Sequence, residues 1–199
     1  MAQSDDNILS RARRILEFEA RAIAQIPLSN AFGNAVRDIL SCEGKVITTG
    51  IGKAGYVAQK AASTLSTTGS PAIFLHPGDA SHGDVGVFTS RDIALAFSNS
   101  GKTREVIETV SFCRRIGVHS VIAITASLDS PLAEISDHIL EIGRISEPCP
   151  LELTPTASTA AMLAITDALA LVIMEERGFT KEDFALRHHG GYLGEKSRS

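Results

Sequence analysis

The sequence predicts an α/β fold, a five-stranded parallel sheet flanked by helices, on three observations. Five short runs rich in apolar and β-branched residues recur along the chain: Val46 to Thr49, Ala72 to Leu75, Ile93 to Phe97, Ser120 to Ile124 and Ile139 to Ile142. Stretches of helical period separate them, which replaces hairpins with crossovers and makes neighbouring strands parallel. The runs are apolar with little alternation, as strands covered on both faces must be. The 199 residues read as one domain, large enough to bury about 70% of the surface an unfolded chain exposes.

In chain order, Ser4-Asp5-Asp6-Asn7 supplies caps and acidic first-turn residues for a helix whose apolar positions (Ile8, Leu9, Ala12, Ile15, Leu16, Ile23) recur at three and four. Packing is the expected fate of that apolar set, with a lid, a layer or a dimer contact as the alternatives. Pro27 ends this helix. A second begins near Ser29, carries Phe32, Val36, Ile39 and Leu40 on one side, and stops at Gly44. These N-terminal helices (1–44) precede the α/β core (45–177). An Ala-rich helix from about Ala157 to Arg177 closes the core, and Gly178 separates it from a short helix after Thr180 and the tail (178–199).

Composition narrows the function. A net charge of −4 without a basic run, 5% aromatics and no tryptophan argue against a nucleic-acid binder, which needs cationic or stacking surfaces. The three cysteines, Cys42, Cys113 and Cys149, are odd in number and far apart, so reduced thiols in a cytoplasm are expected. No apolar run approaches the roughly 20 residues of a membrane span, and the first residues are polar and acidic.

Three glycine-bearing loops follow strands. Gly50-Ile51-Gly52-Lys53-Ala54-Gly55 spells a dinucleotide-binding fingerprint. The next strand ends in Leu75-His76-Pro77, however, where that motif wants an acidic residue for a ribose. Lys53 would stand in a first helical turn, where the helix dipole disfavours a cation unless an anion lies nearby, so a ligand is expected there. Gly101-Lys102-Thr103 resembles the end of a P-loop, but Ala96 occupies the required earlier glycine position, which excludes an NTPase. What remains, Ser98-Asn99-Ser100-Gly101-Lys102-Thr103, is a hydroxyl-rich turn feeding a helix start, the makings of a single-phosphate cradle.

Proton-transfer groups collect near these loops. His76-Pro77-Gly78-Asp79-Ala80-Ser81-His82-Gly83-Asp84 crowds two histidines and two carboxylates into a helix-breaking segment after a strand. His76, Asp79, His82 and Asp84 are suitable zinc ligands by type, although no cysteine or helical spacing fixes their geometry. Glu105 lies in the first turn after the cradle, and Glu147 stands beside Pro148 and near Pro150 in a loop beyond the last strand.

These segments, with Glu147-Pro148-Cys149-Pro150-Leu151, Thr154 to Thr159 and Gly178 to Leu186, resemble the sugar isomerase (SIS) domain family, and within it the arabinose 5-phosphate isomerases. The resemblance implies a flavodoxin-like three-layer sandwich. It also implies interconversion of ribulose 5-phosphate and arabinose 5-phosphate through an enediol or enediolate, serving lipopolysaccharide synthesis. By matched position it makes Lys53, Glu105, Glu147 and His188 the catalytic set, with Glu147 preferred over Glu105 as proton shuttle. Substrate contacts are implied at Gly52, Gly69, Ser70, His76, His82, Ser98, Asn99, Ser100 and Thr103. His76 doubles as a candidate zinc position, although the chemistry requires no cofactor. The family implies a homo-oligomer, tetramer or dimer, with shared sites, while neither nucleic acid nor membrane is an expected partner. The resemblance ends at Ser199, before the stretch in which longer relatives carry paired CBS domains, and His189 stands where relatives commonly carry proline. Two alternatives stay open: an isomerase for another ketose phosphate, of the 3-hexulose 6-phosphate type, and a non-catalytic sugar-phosphate sensor.

Overall fold

The computed structural model describes residues 2–188, 190 and 192; His189 and most of the tail lie outside the described residues. Two helices, α1 (Ala2–Ala24) and α2 (Asn30–Ser41), lead into alternating strands and helices: β1 (Val46–Gly50), α3 (Gly52–Thr67), β2 (Ala72–Leu75), α4 (Pro77–Ala80), a 3-10 turn (Asp84–Val87), β3 (Ile93–Phe97), α5 (Arg104–Ile116), β4 (Ser120–Thr125), α6 (Pro131–Glu134), β5 (His138–Glu141), α7 (Ala157–Glu176) and α8 (Lys181–Arg187). All strands are parallel, in the order β2-β1-β3-β4-β5. The five sequence runs thus became the five strands, within a residue or two at the ends.

The two short helices α4 and α6 were not expected. Each places a proline at its first position, where the missing N–H costs nothing, and each follows a side-chain cap, His76 Nδ1 on the Gly78 N–H and Ser130 Oγ on the Ala133 N–H. The segment after β2 is therefore a capped helical turn rather than plain loop.

Side chains of the sheet divide by parity. Ile93, Leu95 and Phe97 of β3 join one core with residues of α2, α3 and α7, whereas Ala94 and Ala96 face a second core with Val106, Val110 and Cys113 of α5. The small alanines let α5 lie close to the sheet. By length and composition α7 would suffice to cross a bilayer, contrary to the sequence expectation, yet Ala161, Met162, Ile165, Leu169 and Ile173 are buried against the sheet. Its apolarity belongs to a core helix. The first helix departs from expectation in the opposite sense: α1 packs on α7, but Leu9 and Leu16 stay about two-thirds exposed, at 67% and 66%.

The sheet positions the site through its topology. The chain leaves β1 toward β2 on one side and returns to β3 on the other, so Gly50 and Phe97, paired in register, end side by side. Such a switch point opens a crevice at the carboxyl ends of the strands.

Candidate functional site

A cavity of about 360 Å³ occupies that crevice, bounded by Ile51, Lys53 and Ala54 at the start of α3, by Phe97 to Ser100 and Thr103 ahead of α5, and by Pro155, Ser158, Thr159 and Met162 at the start of α7. Three helix N-termini converge on one space, and each brings backbone N–H groups and the positive end of a dipole.

The α5 end is built to hold an anion. Thr103 occupies the N-cap position but makes no cap; its hydroxyl pairs instead with Ser98 Oγ at 2.8 Å. The first backbone bond of the helix runs from the Ile107 N–H to the Thr103 carbonyl, and among the described residues no protein acceptor meets the Arg104, Glu105 or Val106 N–H. Gly101 turns the chain with φ +64°, where a Cβ would collide with Ser130 Oγ, so only glycine fits this bend. The Asn99 carbonyl is occupied by the Ala126 N–H at 3.0 Å and Thr125 Oγ1 at 3.2 Å, which fixes the turn from the β4 side. Hydroxyls and amides around a rigid bend offer unanswered donors suited to an anion, at the turn where the sequence analysis expects a phosphate cradle. At the α3 end Ile51 supplies no cap either, and exposed Lys53 enters no ion pair among the described residues.

The α7 end already carries an anion. Glu147 Oε2 accepts from the Thr156 and Ala157 N–H groups at 2.8 and 2.9 Å, while Oε1 accepts from the Ser158 N–H at 3.3 Å and from Ser158 Oγ. The carboxylate caps the helix from nine residues away in sequence and lies one hydrogen bond behind the cavity wall, through Ser158. Sequence reading missed Ser158 and Thr159; a hydroxyl pair opening an Ala-rich helix was the available signal. Between Glu147 and α7 the chain folds around Cys149, whose Sγ accepts from the Leu153 and Thr154 N–H groups, both at 3.3 Å. Hydrogen bonds from Thr154 first, then Leu153 and Leu151, bring that thiol down to about 7 despite an opposing desolvation.

Other expected residues sit around this centre or apart from it. Glu105 is exposed in the first turn of α5 and does not line the cavity. Gly52 and His76 border a smaller cavity of about 130 Å³ on the far side of the glycine loop, with Gly50, Gly55, Tyr56 and Gln59. His82 stands exposed outside both spaces. Zinc finds no fit within one chain: among the described residues no three His, Cys, Asp or Glu side chains converge. His76 Nδ1, moreover, accepts the Gly78 N–H at 3.1 Å, which in the neutral ring puts the proton on Nε2 and takes that nitrogen's lone pair from a metal.

Gly69, Ser70 and His188 do not line the cavity of their own chain. Gly69 and Ser70 precede β2 at the amino edge of the sheet, with Ser70 buried and its N–H on the Leu65 carbonyl. The α7 helix runs from the cavity to that opposite edge, about 30 Å at 1.5 Å per residue. There Phe179 lies on Gly69, where an added Cβ would come 2.6 Å from the ring, and Arg187 stacks on Phe179 at 4.9 Å. His188 follows directly, with its ring on Phe184 at 3.8 Å and Nδ1 3.3 Å from the Phe184 carbonyl oxygen.

Comparison with known proteins gives the same fold and relatives. The chain is 42% identical to arabinose 5-phosphate isomerase KdsD of Pseudomonas aeruginosa over 197 residues, covering 98% of this chain and 60% of that protein. It thus spans about three-fifths of the length of that curated relative. Among solved structures it is similar to a Bacteroides fragilis protein described as a phosphosugar isomerase of capsule formation, with TM-score 0.90 and 41% identity over 93% of this chain and 99% of the other. An Escherichia coli CFT073 protein in complex with arabinose 5-phosphate superposes with TM-score 0.88 and 34% identity, covering 92% and 98% of the two chains. A family model described as "SIS domain" matches residues 39–172, and with the switch-point cavity and its serine turn this places the chain in the SIS domain family.

Proposed function

We propose that the protein is an aldose-ketose isomerase that interconverts ribulose 5-phosphate and arabinose 5-phosphate. The observation that carries this reading is the uncapped start of α5, where Ser98, Ser100, Thr103 and free backbone amides surround a rigid glycine bend. A phosphate monoester fits that site by charge and by hydrogen bonding. The arabinose 5-phosphate complex of the E. coli protein and the names of the curated relatives support the choice of sugar.

With the phosphate at α5, the sugar extends across the cavity toward Lys53 and the start of α7. Isomerisation from the ketose removes a proton from C1, leaves an enediolate with its charge on O2, and returns the proton to C2 as the O1 hydroxyl proton moves to O2. Glu147 serves as the base and carries the proton between carbons; Ser158, which lines the cavity and donates to Oε1, positions it. Lys53 stabilises the oxyanion as a fixed cation. Hydrogens move within the substrate, so no oxidant or metal is called for.

The distance of His188 from the cavity, a helix length, supports a part for it in ring opening or proton transfer at a neighbouring copy's site, and with it an active unit that is a homo-oligomer with shared sites. The free thiols of Cys42, Cys113 and Cys149 support a reducing, cytoplasmic setting. The family resemblance supports a product that serves lipopolysaccharide synthesis. A second reading, a sugar-phosphate sensor without turnover, draws on one observation: Glu147 spends all four of its hydrogen bonds on capping α7.

The test is incubation of the protein with each five-carbon sugar phosphate, with product identified by NMR, followed by mixing of two inactive variants. Equilibration of the two sugars is expected. Binding without interconversion would establish the sensor, and turnover of a hexulose phosphate alone would replace the substrate. Glu147→Gln and His188→Ala are each expected to be inactive, and their re-assembled mixture to recover about a quarter of parent activity if sites are shared pairwise. A mixture that stays inactive removes the shared site.

A further inference from the structure

We infer that the solvent face of α1 is the seam through which two copies of this chain pair, antiparallel, about a two-fold axis at Leu16. The helix is apolar on two opposite sides. Ala22 is buried and Phe18 half-buried on the side that meets the body of the protein. Two residues along a helix is a rotation of about 200°, so Leu16 points directly away from Phe18. On that outer side Leu9, Ala12, Leu16 and Ala20, with Arg13 and Glu17, line one open groove of about 520 Å³. Ile23, 39% exposed, extends the apolar row. A helix that served only to cover α7 would need one apolar stripe, and the second would be polar.

The pattern of the outer stripe selects the occupant. Leu9, Ala12, Leu16, Ala20 and Ile23 follow one another at intervals of three, four, four and three, which read the same from either end. A symmetric sequence of large, small, large, small, large is what a helix needs to meet its own copy running the other way. About an axis at Leu16, Leu9 faces the partner's Ile23, Ala12 faces the partner's Ala20, and the two Leu16 side chains meet. The alanines let the backbones approach while the larger residues fill the ends. An isologous two-fold contact requires such self-complementarity.

The charges agree. Arg13 and Glu17 line the same groove, on one rim of the stripe, and neither enters an ion pair within its own chain among the described residues. A two-fold axis through Leu16 brings Arg13 of each copy beside Glu17 of the other, two residues' rise (about 3 Å) from level, within reach of their side chains. Both free charges on the rim then find partners, twice per pair. A hydrophobic partner of unrelated sequence would use the stripe but has no reason to match its symmetry or this charge spacing.

The inference rests on the reading of the active unit as a homo-oligomer and names the surface that holds it. The experiment is analytical ultracentrifugation of the full chain and of four variants, with circular dichroism to verify folding. The parent is expected at an even number of copies, and Leu16→Glu, which sets two carboxylates against each other on the axis, is expected to halve the mass. Arg13→Glu or Glu17→Arg alone should each weaken association about tenfold, and the double variant carrying both should restore it, a result that simple unfolding cannot produce. A parent oligomer unchanged by Leu16→Glu overturns the seam and leaves the oligomer standing. A monomeric parent overturns both. Single and double charge variants that associate equally also overturn the proposed register.

Discussion

The two edges of the sheet carry similar polar inventories and use them in opposite ways. At the amino edge, Asp92 accepts from Lys45 Nζ and N and from Thr89 N and Oγ1, at 2.7 to 2.9 Å. Asp137 takes the Val121 N–H at 2.8 Å and the Arg114 guanidinium at 2.9 Å, and His138 meets Asp38 at 2.9 Å. These carboxylates are answered from within the chain, so this edge holds the sheet together. At the carboxyl edge, Lys53, the first amides of α5 and the turn hydroxyls point at a shared space without a protein acceptor for the helix start. Satisfied polar groups contribute stability, and unsatisfied donors around a cavity contribute binding. Glu147 belongs to both regimes, because it answers one helix start and borders the cavity through Ser158.

The largest test of this contrast is Glu147→Gln. The amide keeps the shape and offers one acceptor to α7, so fold and phosphate binding should persist while turnover falls by about 10²–10⁴, the span general base catalysis supplies. Unchanged turnover would make Glu147 a structural cap like the carboxylates of the other edge. Asp92→Asn should do the reverse, costing about 2–3 kcal/mol, or roughly 4–12 °C in thermal midpoint, with the cavity intact. Burial by itself raises the Asp92 carboxyl, but bonds from Lys45 and Thr89 outweigh it and hold the group below the ordinary carboxylate range. A group lowered in the folded state contributes stability above its unfolded pKa of about 3.9 and loses it as pH falls through the folded value. Acid titration of the parent should therefore show a loss below about pH 4 that Asp92→Asn lacks.

Smaller effects sharpen the same line. Gly69→Ala places a methyl against Phe179 at a φ of +98° and should lower stability by about 1–3 kcal/mol in a denaturant melt. It should also disturb the ledge that carries His188. Thr103→Ala or Ser100→Ala should raise KM about tenfold with little change in kcat; equal inhibition of parent and variants by inorganic phosphate would move the cradle elsewhere. Last, Cys149 should react with iodoacetamide half-maximally near pH 7, whereas Cys113, pushed up to about 12 by burial, should stay inert, as mass spectrometry of tryptic peptides would report.

Much of the architecture was legible in advance because it depends on local rules. Strands β1 to β5 follow from apolar runs, α7 from its Ala-rich period, and the hydroxyl-rich turn ahead of α5 from three hydroxyls around a glycine bend. The helical turn at Pro77 was missed because its signal is a histidine cap, a rarer device than serine or aspartate. Motif matching named Gly69, Ser70 and His188 together with Lys53 and Glu147, but one-dimensional spacing carries no information about which edge of a sheet a loop occupies.

The sequence by itself determined the parallel sheet, the glycine turn and the residue types gathered after its strands, since period and turn chemistry act between neighbours in the chain. Only the tertiary structure decided that three helix starts share one cavity, that Glu147 answers α7, and that His188 sits a helix length away. Those facts depend on strand order, which puts β1 beside β3 and sends α7 from one edge to the other, and strand order is fixed by long-range packing rather than by any local preference.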